Sequence, residues 1–424
     1  MPRSSLAAAT RAATAESLKY FAARSNLLGN PYARLSLPNE ANSLNTMLSR
    51  SKLLPLLLLI TVSVSVAHRG AAQDLGDRLS IHGSLNAAMA KADGPQYFGI
   101  NSDGTTNYRA VALQFGYKLA DDDRVVMQLL HRQIGDSPLM AVEPPMAPIW
   151  AFYEHREGDW TFKFGRNPLP RGLFNETRFI GTLLPFYRVG KDVYGETLEN
   201  IDGVVVTHRS TFGGWGLDAN AFTGGFDIKA LLPGATATTV YKVRADQSIG
   251  GSAILRTPIE GLRFGAYLHD YQTLPKAANS NRTRTMMYSV DGDFAKFWAR
   301  SEYSQFANDS SGVKNYKAWY AQAGVKFNEQ FQVGVETGSA NTLVSLPKPF
   351  PAYDLPFSTY KGVAFNYSPQ SSVRYKIEWD HQEGYVFDVP VPLFTGPVSL
   401  TPPTMGVADK SHSNSVIASI AVAF

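Results

Sequence analysis

The chain contains no cysteine, and beyond residue 72 it has no long apolar run. Without thiols it has no disulfide, no cysteine-ligated zinc site and no cysteine nucleophile. Without a run of about twenty apolar residues, the part after residue 72 offers no candidate transmembrane helix. The sequence also lacks the Gly-x-Ser-x-Gly, His-Glu-x-x-His and phosphate-binding glycine motifs of common hydrolase and nucleotide sites. We therefore expect no metal and no cofactor.

An excess of basic charge is also missing from most of the chain. The net charge is +4, but residues 1–72 hold eight basic and two acidic residues. The remainder has 32 basic and 34 acidic residues, which is a net charge of −2. This balance does not support a basic nucleic-acid-binding domain, so nucleic acid is not an expected partner.

The start of the chain carries an export signal that opens at a second methionine, Met47. Two basic residues follow it, then an apolar run over 53–67 and small residues at 70–72. This layout is typical of a secretory signal peptide, because a run of about fifteen residues is short for a membrane-spanning helix. We expect residues 47–72 to be removed by cleavage after Ala72. The alternative is an uncleaved N-terminal anchor.

Residues 1–46 precede that signal and are rich in Arg, Ala and Ser. They fit a transit peptide or a wrongly assigned start codon. The second interpretation is simpler, because an export signal works poorly when it is not at the start. In both cases the folded region is expected to be 73–424.

Within 73–424, apolar and polar residues alternate along many segments. Along 373–380, Val, Tyr, Ile and Trp alternate with Arg, Lys, Glu and Asp. A period of two is typical of β-strands with two different faces. The segments are about ten to fifteen residues long, whereas strands of soluble proteins average about five or six. Since a tilted strand crosses a bilayer with roughly nine to eleven residues, we predict an all-β transmembrane antiparallel β-barrel of about sixteen strands.

The connections between the predicted strands alternate in length. The predicted strands are 79–90, 105–120, 123–135, 148–155, 159–167, 201–209, 214–223, 247–257, 260–273, 282–291, 295–307, 313–327, 329–339, 359–367, 372–383 and 411–424. Each even-numbered strand is followed by a tight turn, and most odd-numbered strands are followed by a longer connection. Short periplasmic turns and longer external loops are typical of bacterial barrels. We therefore expect 224–246, 340–358 and 384–410 to be irregular loops outside the cell.

The third external connection, 168–200, is unlike a solvated loop. It contains Leu, Phe and Tyr residues that need a surface to pack against. The interior of the barrel would supply that surface, because sixteen strands leave an aqueous channel. We therefore predict that this connection folds inward and narrows the channel.

Charged residues on the predicted strands are expected to face the lumen. A charge on the lipid-facing side costs roughly 2–4 kcal/mol near the midplane of the bilayer. The lumen-wall candidates are Arg132, Arg263, Arg300, Arg374, Lys376 and Glu378. The alternative for most of them is a solvated wall position without a further role.

The mature chain resembles the bacterial outer-membrane porin superfamily, in its general-diffusion, 16-stranded type. The resemblance is carried by Phe164-Gly165-Arg166, the proline-rich third loop, the strand at 202–206 and the terminal Phe424. It implies a channel for small hydrophilic solutes, usually a homotrimer, in outer-membrane lipid. It also implies that Phe424 is the signal read by the barrel assembly machinery.

The resemblance further implies that carboxylates of the third loop oppose a basic wall at the constriction. Candidate carboxylates are Glu176, Asp192, Glu196 and Glu199, and candidate wall residues are Arg132, Arg374 and Lys376. The loop also carries basic residues, which leaves the ion preference open: Arg171, Arg178 and Arg188.

Three other functions stay open at this point. The predicted excess of basic residues over acidic residues in the lumen keeps open a substrate-specific channel for anions such as phosphate. A barrel enzyme, such as a phospholipase, needs a Ser–His pair held by a third polar group. A structural or adhesive barrel needs a plugged lumen or large external domains, and no separate plug domain is evident between Gln73 and the first strand.

Overall fold

A computed structural model describes residues 73–74, 76, 78–233, 238–273, 282–308, 313–346, 348–396 and 398–424. The predicted signal peptide and the upstream extension, 1–72, lie outside these residues. In the part of the chain that is described, no helix has both the length and the apolarity needed to cross a membrane.

Sixteen long antiparallel strands make up nearly all the regular structure of the described residues. They are β1 Leu79–Ala92, β2 Thr105–Lys118, β3 Asp123–Ile134, β4 Ala147–Glu157, β5 Trp160–Pro168, β6 Asn200–Phe212, β7 Trp215–Pro233, β8 Thr238–Arg256, β9 Leu262–Thr273, β10 Arg282–Asp293, β11 Phe297–Asn308, β12 Val313–Lys326, β13 Phe331–Ser345, β14 Ala352–Gln370, β15 Val373–Gly384 and β16 Ser411–Ala423. Each predicted strand has a counterpart among them, so the predicted fold class is confirmed.

The strands close into a barrel because the last one pairs with the first. Every strand is hydrogen-bonded to its neighbours in the chain, and β16 pairs antiparallel with β1 so that Val422 lies opposite Leu85. The two-residue segment Gln73–Asp74 also pairs with β1. Phe424 and Gly83 exchange two backbone hydrogen bonds of 2.8 and 2.9 Å. The start of β1 and the end of the chain therefore lie together.

The two faces of the strands carry different residues, as the alternation predicts. On β15, Ile377 and Trp379 are 61% and 39% exposed, whereas the intervening Glu378 is buried. On β9, Phe264 and Leu268 are exposed and Tyr267 is buried. The exposed face is therefore apolar and suits hydrocarbon, and the polar face is turned to the interior of the barrel.

The two ends of the barrel differ in the length of their connections. The tight turns at one end are confirmed, for example Gly158–Asp159 between β4 and β5 and Gly213–Gly214 between β6 and β7. At the other end, the predicted irregular loops 224–246 and 340–358 are wrong in extent, because much of each continues the flanking strands.

Bulges explain why those two stretches do not alternate cleanly in the sequence. In the β7–β8 pair the register shifts between Gly224 and Phe226, and pairing then continues to Pro233. In the β13–β14 pair the register shifts after Ala340, next to Pro356. Each bulge changes which side chains face inward, so the period of two breaks although the strand continues.

Candidate functional site

The connection between β5 and β6 is a compact, buried segment, 169–199. It contains a 3-10 turn at Gly181–Leu183 and a one-turn helix, α1, at Lys191–Tyr194. Phe186 and Val193 have almost no exposed surface. A solvated loop would leave these side chains in water, so the segment needs the partners described next.

Apolar residues of this segment pack against inward side chains on one part of the wall, from β6 to β14. The segment contributes Leu169, Phe174, Leu184, Val189, Val193, Tyr194 and Leu198, and the strands contribute Val205, Phe222, Phe226, Tyr267, Tyr271, Met287, Tyr320 and Tyr360 among others. This cluster fills that part of the barrel interior with apolar side chains.

Polar contacts tie the same segment to β15, farther round the wall. Three successive inward residues of β15 bind its backbone at 2.8–3.3 Å: Arg374 donates to the Leu184 carbonyl, Lys376 donates to the Phe186 carbonyl, and Glu378 accepts from the Tyr187 N–H. Lys191 of α1 forms an ion pair of 3.2 Å with Asp380, the next inward residue of that strand. The segment is thus fixed at many points along its length.

Further hydrogen bonds link the segment to β11, β1 and β2. The Tyr194 hydroxyl donates to Glu302 of β11 at 2.6 Å. Ser84 of β1 donates to the Phe179 carbonyl at 3.2 Å. Arg188 donates to the hydroxyl of Tyr108 on β2 at 2.6 and 2.9 Å. Together with the apolar cluster, these contacts reach strands all around the barrel.

Arg132 of β3 is the centre of a buried ionic cluster with carboxylates from two connections. Its Nη1 lies 2.7 Å from Glu196 and 2.7 Å from Glu199, and its Nη2 lies 2.6 Å from Glu143 in the connection between β3 and β4. Arg188 pairs with the other oxygen of Glu196. Because the cluster is shielded from water, each pair interacts more strongly than it would at a surface.

Arg178 lies at the edge of this cluster. Its side chain is 3.7 Å from Glu196 and 4.0 Å from Glu199, and its Nη2 donates to the Gly195 carbonyl. Its Nη1 is buried and has no hydrogen-bond partner among the described residues. Beside it is a cavity of about 50 Å³ whose lining includes Arg132, Arg178 and Arg188.

The structure therefore brings together part of the predicted constriction set: Arg132, Arg178, Arg188, Glu196 and Glu199. Glu176 is exposed and takes part in none of these ion pairs. The Asp192 carbonyl accepts from Tyr316 of β12. Arg171 is buried and donates to the carbonyls of Val193 and Tyr194.

The predicted wall residues take three different kinds of partner. Arg132 meets carboxylates of the third connection, as expected from the resemblance. Arg374 and Lys376 instead meet backbone carbonyls, and Glu378 meets a backbone N–H. Arg263 and Arg300 both pair with Asp291 of β10, at 2.9 and 3.1 Å.

The sequence pattern does not predict two members of the ionic cluster. Glu143 lies in a connection without periodicity, and Lys229, which pairs with it, lies in a stretch predicted to be an irregular loop. Glu143 contacts Arg132 directly, and Lys229 joins the cluster through Glu143. Only the pairing of distant strands could have pointed to them.

At the end of the barrel with the long connections, the connection after β1 packs against the connection after β15. Tyr97, Tyr385 and Phe387 form an apolar cluster there. Asp388 accepts hydrogen bonds from the Gln96 amide and from the N–H of Gly99. Burial raises the pKa of the Asp388 carboxyl, and the bond from Gly99 lowers it by a smaller amount.

At the short-turn end, inward basic side chains are open to solvent. They are between 38% and 50% exposed: Lys118, Arg124, Arg156, Arg256 and Arg263. Their acidic neighbours Glu154 and Asp291 are buried. Other acidic partners at this end are accessible, with Asp121 95% and Asp218 23% exposed, so the accessible surface here carries both signs of charge.

The barrel also holds a serine–histidine pair, the arrangement that a hydrolase would need. Ser248 Oγ lies 2.6 Å from Nε2 of His269, and the Tyr267 hydroxyl lies 2.7 Å from Nδ1 of the same ring. Ser248 and His269 are almost fully buried, and the rings of Phe222 and Phe226 lie about 5 Å from the imidazole. In this conformation the Ser248 hydroxyl is buried.

No protein-family model and no curated protein matches this chain. Among solved structures, it is similar to OmpF of Salmonella typhi in complex with daunomycin, at 10% identity and a TM-score of 0.52, over 82% of this chain and 97% of that one. An anion-selective porin from Comamonas acidovorans matches over 82% and 99% of the two chains, at 11% identity and a TM-score of 0.48. The outer membrane channel DcaP of Acinetobacter baumannii matches over 84% and 99%, at 11% identity and a TM-score of 0.49.

At such identities, similarity to a known structure establishes the fold. The closed barrel, its apolar outer face and its charged inner face are the features that this chain shares with that architecture. The described part of the chain is a sixteen-stranded antiparallel barrel of the outer-membrane porin type, a fold that indicates the bacterial outer membrane as its location.

Proposed function

We propose that the protein is an outer-membrane channel through which small hydrophilic solutes and ions diffuse passively. The observation that carries this proposal is the opposition of an apolar outer face and a charged inner face on one closed barrel. A charged inner face needs water or paired charges, and a channel supplies water. The third connection, 168–200, is proposed to lie across the lumen as its narrowest section.

The change in exposure along the barrel supports this position for the constriction. Inward charged residues near the short turns are exposed, as with Arg156 and Arg256. At the level of segment 169–199, the side chains of Arg132, Glu196 and Glu199 are at most 10% exposed. The resistance to solute passage is therefore expected at this segment.

The proposal is tested by swelling of liposomes that contain the purified, folded protein. Solutes of increasing size, from a pentose to a disaccharide, should enter at steeply decreasing rates, because the constriction selects by size. Empty liposomes and liposomes with heat-unfolded protein are the controls. A folded barrel that admits none of these solutes would contradict the proposal and favour a structural barrel.

A second candidate function is an anion-preferring channel. The exposed basic side chains on the inner wall at the short-turn end, among them Arg124, Arg156 and Arg263, favour it, because positive charge along a channel wall raises the local concentration of anions. The reversal potential in a potassium chloride gradient distinguishes the two candidates. A potential of the sign expected for cations would exclude anion preference.

A barrel enzyme is the less favoured candidate. The Ser248–His269 pair is the arrangement that would serve it, and both residues are buried beneath aromatic rings. We therefore propose that the protein is not an enzyme. Phospholipase activity of the refolded protein that is lost in Ser248→Ala would overturn this view.

We also propose that the barrel works as a homotrimer in outer-membrane lipid, after insertion by the barrel assembly machinery. The resemblance to porins is the support for this assembly. Native mass spectrometry of detergent-extracted protein tests it, and a monomer as the predominant species would count against it.

A further inference from the structure

We propose that the outer face of β10 and β12 binds the phosphate group of an anionic membrane lipid. The site, called here the basic rim, consists of Arg282 and Arg284 on β10 and Lys317 on β12, near the end of the barrel with the long connections. All three side chains are exposed. They share the alternation, and therefore the face, of the exposed Tyr288 and Trp319, so they are turned to the bilayer and not to the lumen.

The height of the basic rim on the barrel is the first argument for a lipid. Aromatic rings at the short-turn end mark one boundary of the hydrocarbon. They include Phe327, which is exposed in the turn after β12, and Phe294, whose ring packs on that of the exposed Phe297. Lys317 and Arg284 lie about ten residues along their strands from Phe327 and Phe294. Since a tilted strand crosses the bilayer with roughly nine to eleven residues, both cations lie at the opposite boundary.

A row of aromatic side chains just below the basic rim is the second argument. Tyr288, Tyr303 and Trp319 lie directly opposite one another across β10, β11 and β12. The Tyr303 hydroxyl donates to the side-chain oxygen of Gln305 at 3.4 Å, so it points toward the long connections. Outward Tyr and Trp residues are typical of the layer between hydrocarbon and headgroups. The basic rim begins one to two outward positions beyond this row, at the level of the headgroups.

The charge at this level is not balanced by the protein. Asp270 is the one carboxylate that the described residues place on the outward face of β9 to β12, and it is shared by Arg282 and Arg284, at 2.6 and 3.4 Å. Lys317 forms no ion pair with a described residue. Two positive charges are therefore left for a ligand. Guanidinium groups bind phosphate oxygens with parallel N–H groups, and basic side chains near a membrane surface attract anionic lipid.

Lipid binding by the purified, folded barrel in a neutral detergent tests the site without any use of conductance. Native mass spectrometry measures the affinity for phosphatidylglycerol, with phosphatidylcholine of the same acyl chains as the neutral reference. The wild type should prefer phosphatidylglycerol. The double variant Arg284→Gln, Lys317→Gln should bind it roughly twentyfold more weakly, because each positive charge near a membrane surface contributes about fivefold. Its affinity for phosphatidylcholine should not change.

The double variant Lys118→Gln, Arg256→Gln is the matched control. It also removes one lysine and one arginine, both about half exposed, from the inner wall at the short-turn end. This control should keep the preference for phosphatidylglycerol. The exchange Arg284→Lys, Lys317→Arg keeps the charge of the basic rim and should keep the preference as well.

Three results would overturn the proposal. The first is a wild type without preference for phosphatidylglycerol, which is also the result expected if a second copy of the chain covers the basic rim. The second is an equal loss of affinity in the control and in the variant of the basic rim. The third is full displacement of the lipid by an equal concentration of inorganic phosphate, which would show that the basic rim binds the free ion and not a lipid.

Discussion

At the scale of single residues, the alternation of the sequence predicts which way a side chain faces, but not what it meets. Arg132, Arg374 and Lys376 all face inward as the pattern indicates, yet only Arg132 meets carboxylates of the third connection. Facing is a local property with a period of two. The partner of a side chain depends on where a connection packs against a strand that is distant in the sequence. A local sequence pattern does not predict that position.

The Arg132 cluster leads to a prediction about stability. Arg132→Met should lower the free energy of unfolding by about 3–5 kcal/mol, because it leaves buried carboxylates without their main partner. Equilibrium urea unfolding in lipid vesicles measures this loss. The control Arg282→Gln breaks the exposed pair with Asp270 and should cost about 0–1 kcal/mol. Equal losses in the two variants would show that the cluster is not buried as described.

Glu196 leads to a prediction about ion preference. Glu196→Lys should shift the reversal potential toward anions, because a charge at a narrow section acts on every passing ion. The measurement is the zero-current potential in a potassium chloride gradient, on protein that still shows heat-modifiable migration. Glu176→Lys is the matched control, since Glu176 is exposed and takes part in none of the cluster's ion pairs. A shift of the same size in both variants would refute a special role for Glu196.

At the scale of the elements, all the strands could be predicted, while the length of several could not. The apolar and polar faces needed by each strand create the period of two, so β1 and β15 are evident from the sequence. The hairpin of β7 and β8 extends about ten residues beyond its predicted end. Glycine and a bulge at 224–226 break the alternation there, although backbone pairing continues.

The last strand leads to a prediction about assembly. Phe424 exchanges two backbone hydrogen bonds with Gly83, and a side chain added at Gly83 would collide with the Phe424 ring. Deletion of Phe424, or Phe424→Asp, should prevent insertion and lead to degradation in the periplasm. Phe424→Tyr keeps the aromatic ring and is the control. Wild-type amounts of heat-modifiable barrel from the deletion would show that this residue is dispensable.

The two kinds of connection lead to a prediction about orientation. Gly396 lies in the long connection before β16, Gly158 lies in a short turn, and both have positive φ and open space around them. Gly396→Cys should react with an impermeant thiol reagent on intact cells, and Gly158→Cys only after permeabilisation. The two changes share the same backbone strain, so each controls for the other. The reverse labelling pattern would show that the barrel has the opposite orientation in the membrane. Gly234, in the stretch between β7 and β8, is a further position for such a cysteine and lies outside the described residues.

At the scale of the whole molecule, the sequence predicts the fold, but it does not predict the width of the channel. The closed barrel follows from repeated alternation and alternating connection lengths. The degree of narrowing depends on how one segment packs against strands from β1 to β15. That packing joins residues far apart in the chain, so the sequence predicts only that the segment needs a surface.

The central claim is that this segment limits passage through the barrel, and its deletion tests that claim most directly. Removal of about Arg178 to Lys191 takes away Arg188 and the pair of Lys191 with Asp380. Single-channel conductance in planar bilayers should then rise several-fold over the wild type at the same salt, and larger solutes should pass. Removal of the small hairpin at 399–404, formed in the connection before β16, should leave conductance unchanged. An unchanged conductance in a correctly folded deletion of the third connection would contradict the constriction, although the barrel itself would stand.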